Sequence, residues 1–148
     1  MTRAMMVTVL WRLDGMPKTS GKNFFSDVAN GTWFTEAIIW AAENHIVDGV
    51  GNGKFEPDGN ITREQMATIL YRYAVWKNYD TSAKADLSVF PDYRRVSSWA
   101  KEALSWANAA ELISGTREGN TICLDPSGNA TRAQVATIFM RFVNNLVG

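Results

Sequence analysis

One stretch of this sequence occurs three times. Asn60-Ile61-Thr62-Arg63-Glu64-Gln65-Met66-Ala67-Thr68-Ile69-Leu70-Tyr71-Arg72 is echoed upstream by Thr2-Arg3-Ala4-Met5-Met6-Val7-Thr8-Val9-Leu10-Trp11-Arg12. It is echoed downstream by Ala130-Thr131-Arg132-Ala133-Gln134-Val135-Ala136-Thr137-Ile138-Phe139-Met140-Arg141. Recurrence on this scale means that each copy belongs to one supersecondary unit. Such a unit is too short to bury its apolar face alone, so the copies must pack on one another.

Each copy reads as a helix. Met6, Val9, Leu10 and Leu13 follow the i, i+3, i+4, i+7 spacing of one helical face, and Met66, Ile69, Leu70 and Tyr73 repeat it at an offset of 60. The first helix is expected from Thr2 to about Leu13, where Asp14-Gly15-Met16-Pro17 stops it. A second is expected from about Phe34 to His45, with Trp33, Ala37, Trp40, Ala41 and Asn44 along one side. A third starts at Thr62 and frays near Trp76. Between the second and third lies the glycine-rich loop Asp48 to Asn60, with a brief extended segment at Lys54-Phe55-Glu56.

The pattern then recurs. Trp33, Ala37, Trp40, Ala41 and Gly49 correspond to Trp99, Ala103, Trp106, Ala107 and Gly115 at an offset of 66, and Pro57, Thr62, Arg63 and Gln65 to Pro126, Thr131, Arg132 and Gln134 at 69. The offset grows inside the glycine loop, where an insertion costs least. The organisation is therefore a half-unit at 1–17 followed by whole units at 24–77 and 89–146, each a helix, a glycine loop and a helix.

Composition narrows the function. Fifteen basic residues balance fifteen acidic ones, so no overall field would hold nucleic acid or an anionic membrane, and an anionic ligand must be captured by local charge. No segment approaches the ~18 apolar residues of a membrane span. Met5 to Trp11 lacks the cleavage site of a signal peptide and is not one, so if the protein is exported its signal is expected upstream. The single cysteine, Cys123, excludes an intrachain disulfide and reads as a small core filler. A calcium loop read from Asp48 fails at Val50 and Gly59, and His45 has no partner at metal-ligand spacing, so neither metal nor cofactor is expected. Asp27, Glu36, Asp92 and Glu102 are carboxylates that hydrolysis would need, but the repetition argues against one asymmetric active site.

Within the motif, Thr62 with Gln65 and Thr131 with Gln134 fit a capping box. Thr2 has Met5 in place of the glutamine and should cap less well. The arginine is left over, because a positive charge in the first helical turn opposes the macrodipole. It pairs either with a carboxylate of a neighbouring unit or with a carboxylate or phosphate of a ligand. The repeated Trp33 and Trp99 are either core or flat platforms for a sugar face.

Phe25-Ser26-Asp27-Val28, Trp33 with Ala37-Ile38, Gly49 with Gly53-Lys54-Phe55-Glu56-Pro57, and Ile61-Thr62-Arg63 with Ala67 and Leu70 together resemble the S-layer homology repeat. The resemblance covers nearly all of the chain. It implies an all-α fold in which three helix-loop-helix repeats pack as a pseudo-trimeric bundle with glycine-rich loops. It further implies a non-catalytic module, outside the cell at the cell wall, that binds pyruvylated secondary cell-wall polysaccharide in grooves between repeats. By match, Arg3, Arg63 and Arg132 meet the ligand's carboxylates, with Gln65, Gln134, Trp33 and Trp99 as further contacts. The alternative is a structural assembly module of a surface layer, whose grooves take a partner protein or another copy of the chain. The first repeat departs from the family pattern by lacking its first helix and glycine loop, and the third by the longer loop Gly115 to Pro126.

Overall fold

The structure is a computed structural model that describes residues 1–147. It is mostly helical: α1 Arg3–Leu13, α2 Thr35–Glu43, α3 Arg63–Trp76, α4 Lys101–Ala109 and α5 Arg132–Phe142. One antiparallel hairpin, β1 Thr116–Glu118 with β2 Thr121–Cys123, adds strand to a fold expected to be wholly helical. It occupies the longer third-repeat loop, where Gly119-Asn120 closes a two-residue turn between threonines and Ile122 that suit extended backbone.

The three motif helices, α1, α3 and α5, start at threonine caps. Thr62 Oγ1 accepts from Gln65 N and Gln65 Oε1 accepts from Thr62 N, and Thr131 and Gln134 exchange the same pair of bonds. At Thr2 only the first bond forms, to Met5 N, as the missing glutamine requires. The helix at Phe34 has no side-chain cap and is instead steadied by Thr35, whose hydroxyl donates to the Ala29 carbonyl at 2.6 Å.

Packing groups these elements into two compact units, Met1–Ile61 and Thr62–Gly148. In the first, α1 packs on α2 around Met6, Val7, Leu10, Ile38, Trp40 and Phe55. Val9 and Leu13, expected on the buried face of α1, are exposed at 36% and 38%, and Val7 is buried instead. The buried stripe of α1 has rotated toward Ala4, Val7 and Thr8. In the second unit α3 packs on α4, and Met66, Ile69, Leu70 and Tyr73 are all buried as the spacing predicts. Tyr73 meets Phe142 and Tyr79 with ring centroids 5.9 and 6.4 Å apart, which closes the far end of that core. Trp40 and Trp106 are interior, and Cys123 is buried as expected of a filler.

Candidate functional site

The second unit shows what the motif builds. The α3 N-terminus has four backbone N–H groups with no partner inside the helix's own ladder. Arg63 N donates to Gly128 O and Glu64 N to Pro126 O, both at 2.9 Å. Gln65 N and Met66 N are taken by the Thr62 hydroxyl and carbonyl. The helix end is therefore satisfied by the Pro-x-Gly segment of the glycine loop and the Thr62 cap, and a ligand finds no backbone donor there.

The Arg63 side chain continues the same docking. Its Nε donates to Leu124 O at 2.9 Å, and the residue is only 4% exposed. Leu124 N and Asp125 N donate in turn to the Asp92 carboxylate, each at 2.9 Å. No carboxylate comes within ion-pair distance of Arg63 among the described residues, which sets aside a fixed salt bridge as the reason for the arginine. Burial pulls the Arg63 guanidinium below its ordinary value, while Asp125 and Asp92 nearby favour its charge.

The first unit repeats this construction. Arg3 N donates to Gly59 O at 2.9 Å, Ala4 N to Pro57 O at 3.0 Å, and Arg3 Nε to Phe55 O at 2.8 Å. The Arg3 guanidinium lies 4.8 Å from the centroid of the Phe55 ring, a cation–π contact. Phe55 N and Glu56 N donate to Asp27. Burial pushes the Asp27 carboxyl up, but these donations, with Lys54 nearby, more than offset it and hold the group below the usual carboxylate range.

A groove of about 260 Å³ opens beside Arg63 in the second unit. One wall is Leu112-Ile113-Ser114-Gly115, and another is the α5 face of Gln134, Thr137, Ile138 and Arg141. Arg63 and Gln134, both expected at a binding site, are brought together here. Gln65 is committed to its cap. Trp33 and Trp99 are 58% and 54% exposed, so the core reading fails for both, yet neither is among the residues that line this groove. Arg132 is exposed at the start of α5, unlike its two buried counterparts.

Two residues matter here that the motif alone does not announce. Glu64, 7% exposed, accepts from Ser97 N and Ser97 Oγ at 2.9 and 2.7 Å and so fastens the turn that leads into α4. Arg141 donates from Nη1 to Leu112 O at 3.3 Å and lines the groove. Its one signal in the sequence is recurrence, because Arg12, Arg72 and Arg141 each follow the motif arginine by nine positions. A second groove, of about 320 Å³ in the first unit, is lined by Lys22, Phe24, Phe25, Asp48 and neighbours and contains none of the expected site residues. Among the described residues no cluster of His, Cys, Asp or Glu could hold a metal ion, and no helix is long and apolar enough to cross a membrane.

Helices whose N-termini are buckled by arginine onto a Pro-x-Gly loop define a helical repeat module. The S-layer homology domain model matches residues 24–67 and 89–136, and the chain belongs to that family. It is 33% identical over 122 residues to the surface-layer 125 kDa protein of Lysinibacillus sphaericus, covering 82% of this chain and 10% of that protein. It is 35% identical over 138 residues to an amylopullulanase of Thermoanaerobacterium thermosulfurigenes, covering 93% of this chain and 7% of the enzyme. To the cellulosome-anchoring protein of Acetivibrio thermocellus it is 34% identical over 76 residues, covering 49% of this chain and 17% of that protein. The chain thus spans a small fraction of the length of these relatives.

Proposed function

We propose that this chain is a non-catalytic anchoring module that holds a surface protein to anionic, pyruvylated secondary cell-wall polysaccharide outside the cell. Relatives that are surface-layer and cellulosome-anchoring proteins support the reading. So does the small share of the amylopullulanase that the chain matches, which fits an appended domain better than a catalytic one. The division into a half repeat at 1–17 and whole repeats at 24–77 and 89–146, with the pseudo-trimeric packing that the resemblance implies, belongs to the same proposal.

The observation that carries it is the state of Arg63. The residue is almost wholly buried and spends Nε on Leu124 O, and its only hydrogen-bonded side-chain nitrogen is that one among the described residues. Its two Nη groups remain for a carboxylate in the groove it lines. Arg63→Ala should weaken binding of pyruvylated wall polysaccharide by about 1.5–3 kcal/mol in calorimetry. Arg63→Lys, which keeps charge but not the fork, separates ligand loss from loss of the loop buckle when both variants are also followed by thermal melting. Unchanged affinity in a folded Arg63→Ala protein rejects the reading for this groove.

One observation favours the assembly reading. The start of α5 is exposed at Thr131, Arg132 and Ala133, and the Ala133 N–H has no hydrogen-bond partner among the described residues, where Ala4 and Glu64 each donate to a loop proline carbonyl. This end fits a further Pro-x-Gly loop from another copy or a parent chain. Light scattering across a concentration series tests it, and a monomer at all concentrations removes self-association.

A further inference from the structure

We propose that Arg141 is a second anion-binding residue of the α5 groove, so that this groove takes a saccharide segment carrying two acidic groups. The inference rests on the reading of the groove as a polysaccharide site and specifies its ligand further.

The geometry comes from α5. Gln134, Thr137, Ile138 and Arg141 all line the groove, and their spacing places them along one side of the helix. Seven residues of helix rise about 10 Å. Arg63 is fastened to Leu124 and Gly128, just upstream of α5, and so stands at the Gln134 end of this face. Arg141 stands at the other end. The groove is therefore an elongated slot with a guanidinium at each end.

The electrostatics of the slot are incomplete. Asp92 and Asp125 lie near Arg63 and favour its charge, but no carboxylate is among the residues that line the groove, and none forms an ion pair with Arg63 or Arg141 among the described residues. Arg63 is buried, Arg141 is half-buried, and each has one nitrogen committed to a loop carbonyl, Leu124 O and Leu112 O. Two like charges in one partly desolvated groove repel each other, and a single anion compensates only one of them. A segment with two acidic groups compensates both, and each arginine retains free N–H groups of its fork to receive one. Ser114 and Thr137 supply neutral hydroxyls between them that suit sugar hydroxyls.

The test uses the whole chain and two oligosaccharide fragments of a pyruvylated wall polysaccharide, one bearing a single ketal carboxylate and one bearing two. In calorimetry the wild type should prefer the two-charge fragment by at least about tenfold, as one further charge-assisted contact requires. Arg141→Gln should abolish that preference by weakening the two-charge fragment by the larger factor, whereas Arg63→Gln should weaken both. Arg141→Lys should retain most of the preference. The proposal is overturned if Arg141→Gln keeps the preference or weakens both fragments equally. It is also overturned if the wild type shows no preference, a result that does not depend on any variant folding. If the wild type binds neither fragment, the polysaccharide reading itself fails and this proposal with it.

Discussion

Asp92 and Arg63 hold the same residue from opposite sides. The Leu124 N–H donates to the Asp92 carboxylate and the Leu124 carbonyl accepts from Arg63 Nε, both at 2.9 Å. Asp27 and Arg3 grip Phe55 in the same way, at 2.8 Å on each side. An acidic residue at the start of one repeat and a basic residue of the preceding helix thus fix a loop that neither touches in sequence. Arg63 fastens the loop through Nε and also lines the α5 groove.

Asp92→Ala leaves the Leu124 and Asp125 N–H groups without their acceptor, and Leu124 is fully buried. The expected loss of stability is about 1–3 kcal/mol, measured by urea unfolding. Asp92→Asn, which keeps one acceptor oxygen, should lose less. Equal stability of Asp92→Ala and wild type would show that the loop is held by Arg63 and the Pro-x-Gly docking alone.

The glycine at the head of each loop is demanded by shape. Gly49 has φ +84°, and a Cβ there would lie 2.6 Å from Lys54 O and 2.7 Å from the Phe25 ring. Gly115 has φ +100°, and its Cβ would lie 2.6 Å from Ile122 Cγ2, an exposed side chain that has room to shift. Both alanine substitutions should therefore cost more than about 1 kcal/mol, through left-handed backbone strain and the clash. Gly49→Ala should cost the more, because its Cβ meets backbone at 2.6 Å, whereas the nearest backbone atom to a Gly115 Cβ is Cys123 O at 3.0 Å. Thermal melts of the two variants give the ranking, and the reverse order would refute it.

Thr8 offers a stabilising change. Its hydroxyl is buried and has no hydrogen-bond partner among the described residues, whereas the matching Thr68 donates to Glu64 O at 2.8 Å and Thr137 to Ala133 O at 3.0 Å. Thr8→Val keeps the shape and removes the unpaired polar atom, so it should raise stability by about 1 kcal/mol. Thr68→Val gives up a formed bond and should move in the other direction. Chemical denaturation of the pair reads the signs, and a destabilised Thr8→Val would contradict the argument.

What the sequence discloses follows the range of the interaction. Thr62 with Gln65 and Thr131 with Gln134 act over three residues, so their caps are legible from the letters alone. The face Met66, Ile69, Leu70 and Tyr73 is legible because α3 buries the stripe that its spacing defines. The same spacing misplaces Val9 and Leu13, since which side of α1 is covered depends on where α2 packs. The partner of Arg63 lies 61 positions away and is a carbonyl, a group every residue carries, so no side-chain pattern could point to it. Repetition also does not say inside or outside. Trp40 and Trp106 recur and are buried, while Trp33 and Trp99 recur and are exposed.

Gln134 allows the capping and ligand roles of the motif to be separated. It closes the α5 cap through Oε1 and also lines the groove shared by Arg63 and Arg141. Glutamate at this position keeps an acceptor for the Thr131 N–H and adds a negative charge to the first helical turn, where the macrodipole favours it by about 0.3–1 kcal/mol. Gln134→Glu should therefore fold at least as stably as the wild type. In the groove the same carboxylate competes with the ligand for the guanidiniums, and affinity for pyruvylated polysaccharide should fall by about tenfold or more, with the loss reduced at low pH as the new carboxyl protonates. Thermal melting and calorimetry on this one variant then move in opposite directions. If the affinity falls only in step with stability, Gln134 acts as a cap alone and the groove's anion site lies elsewhere.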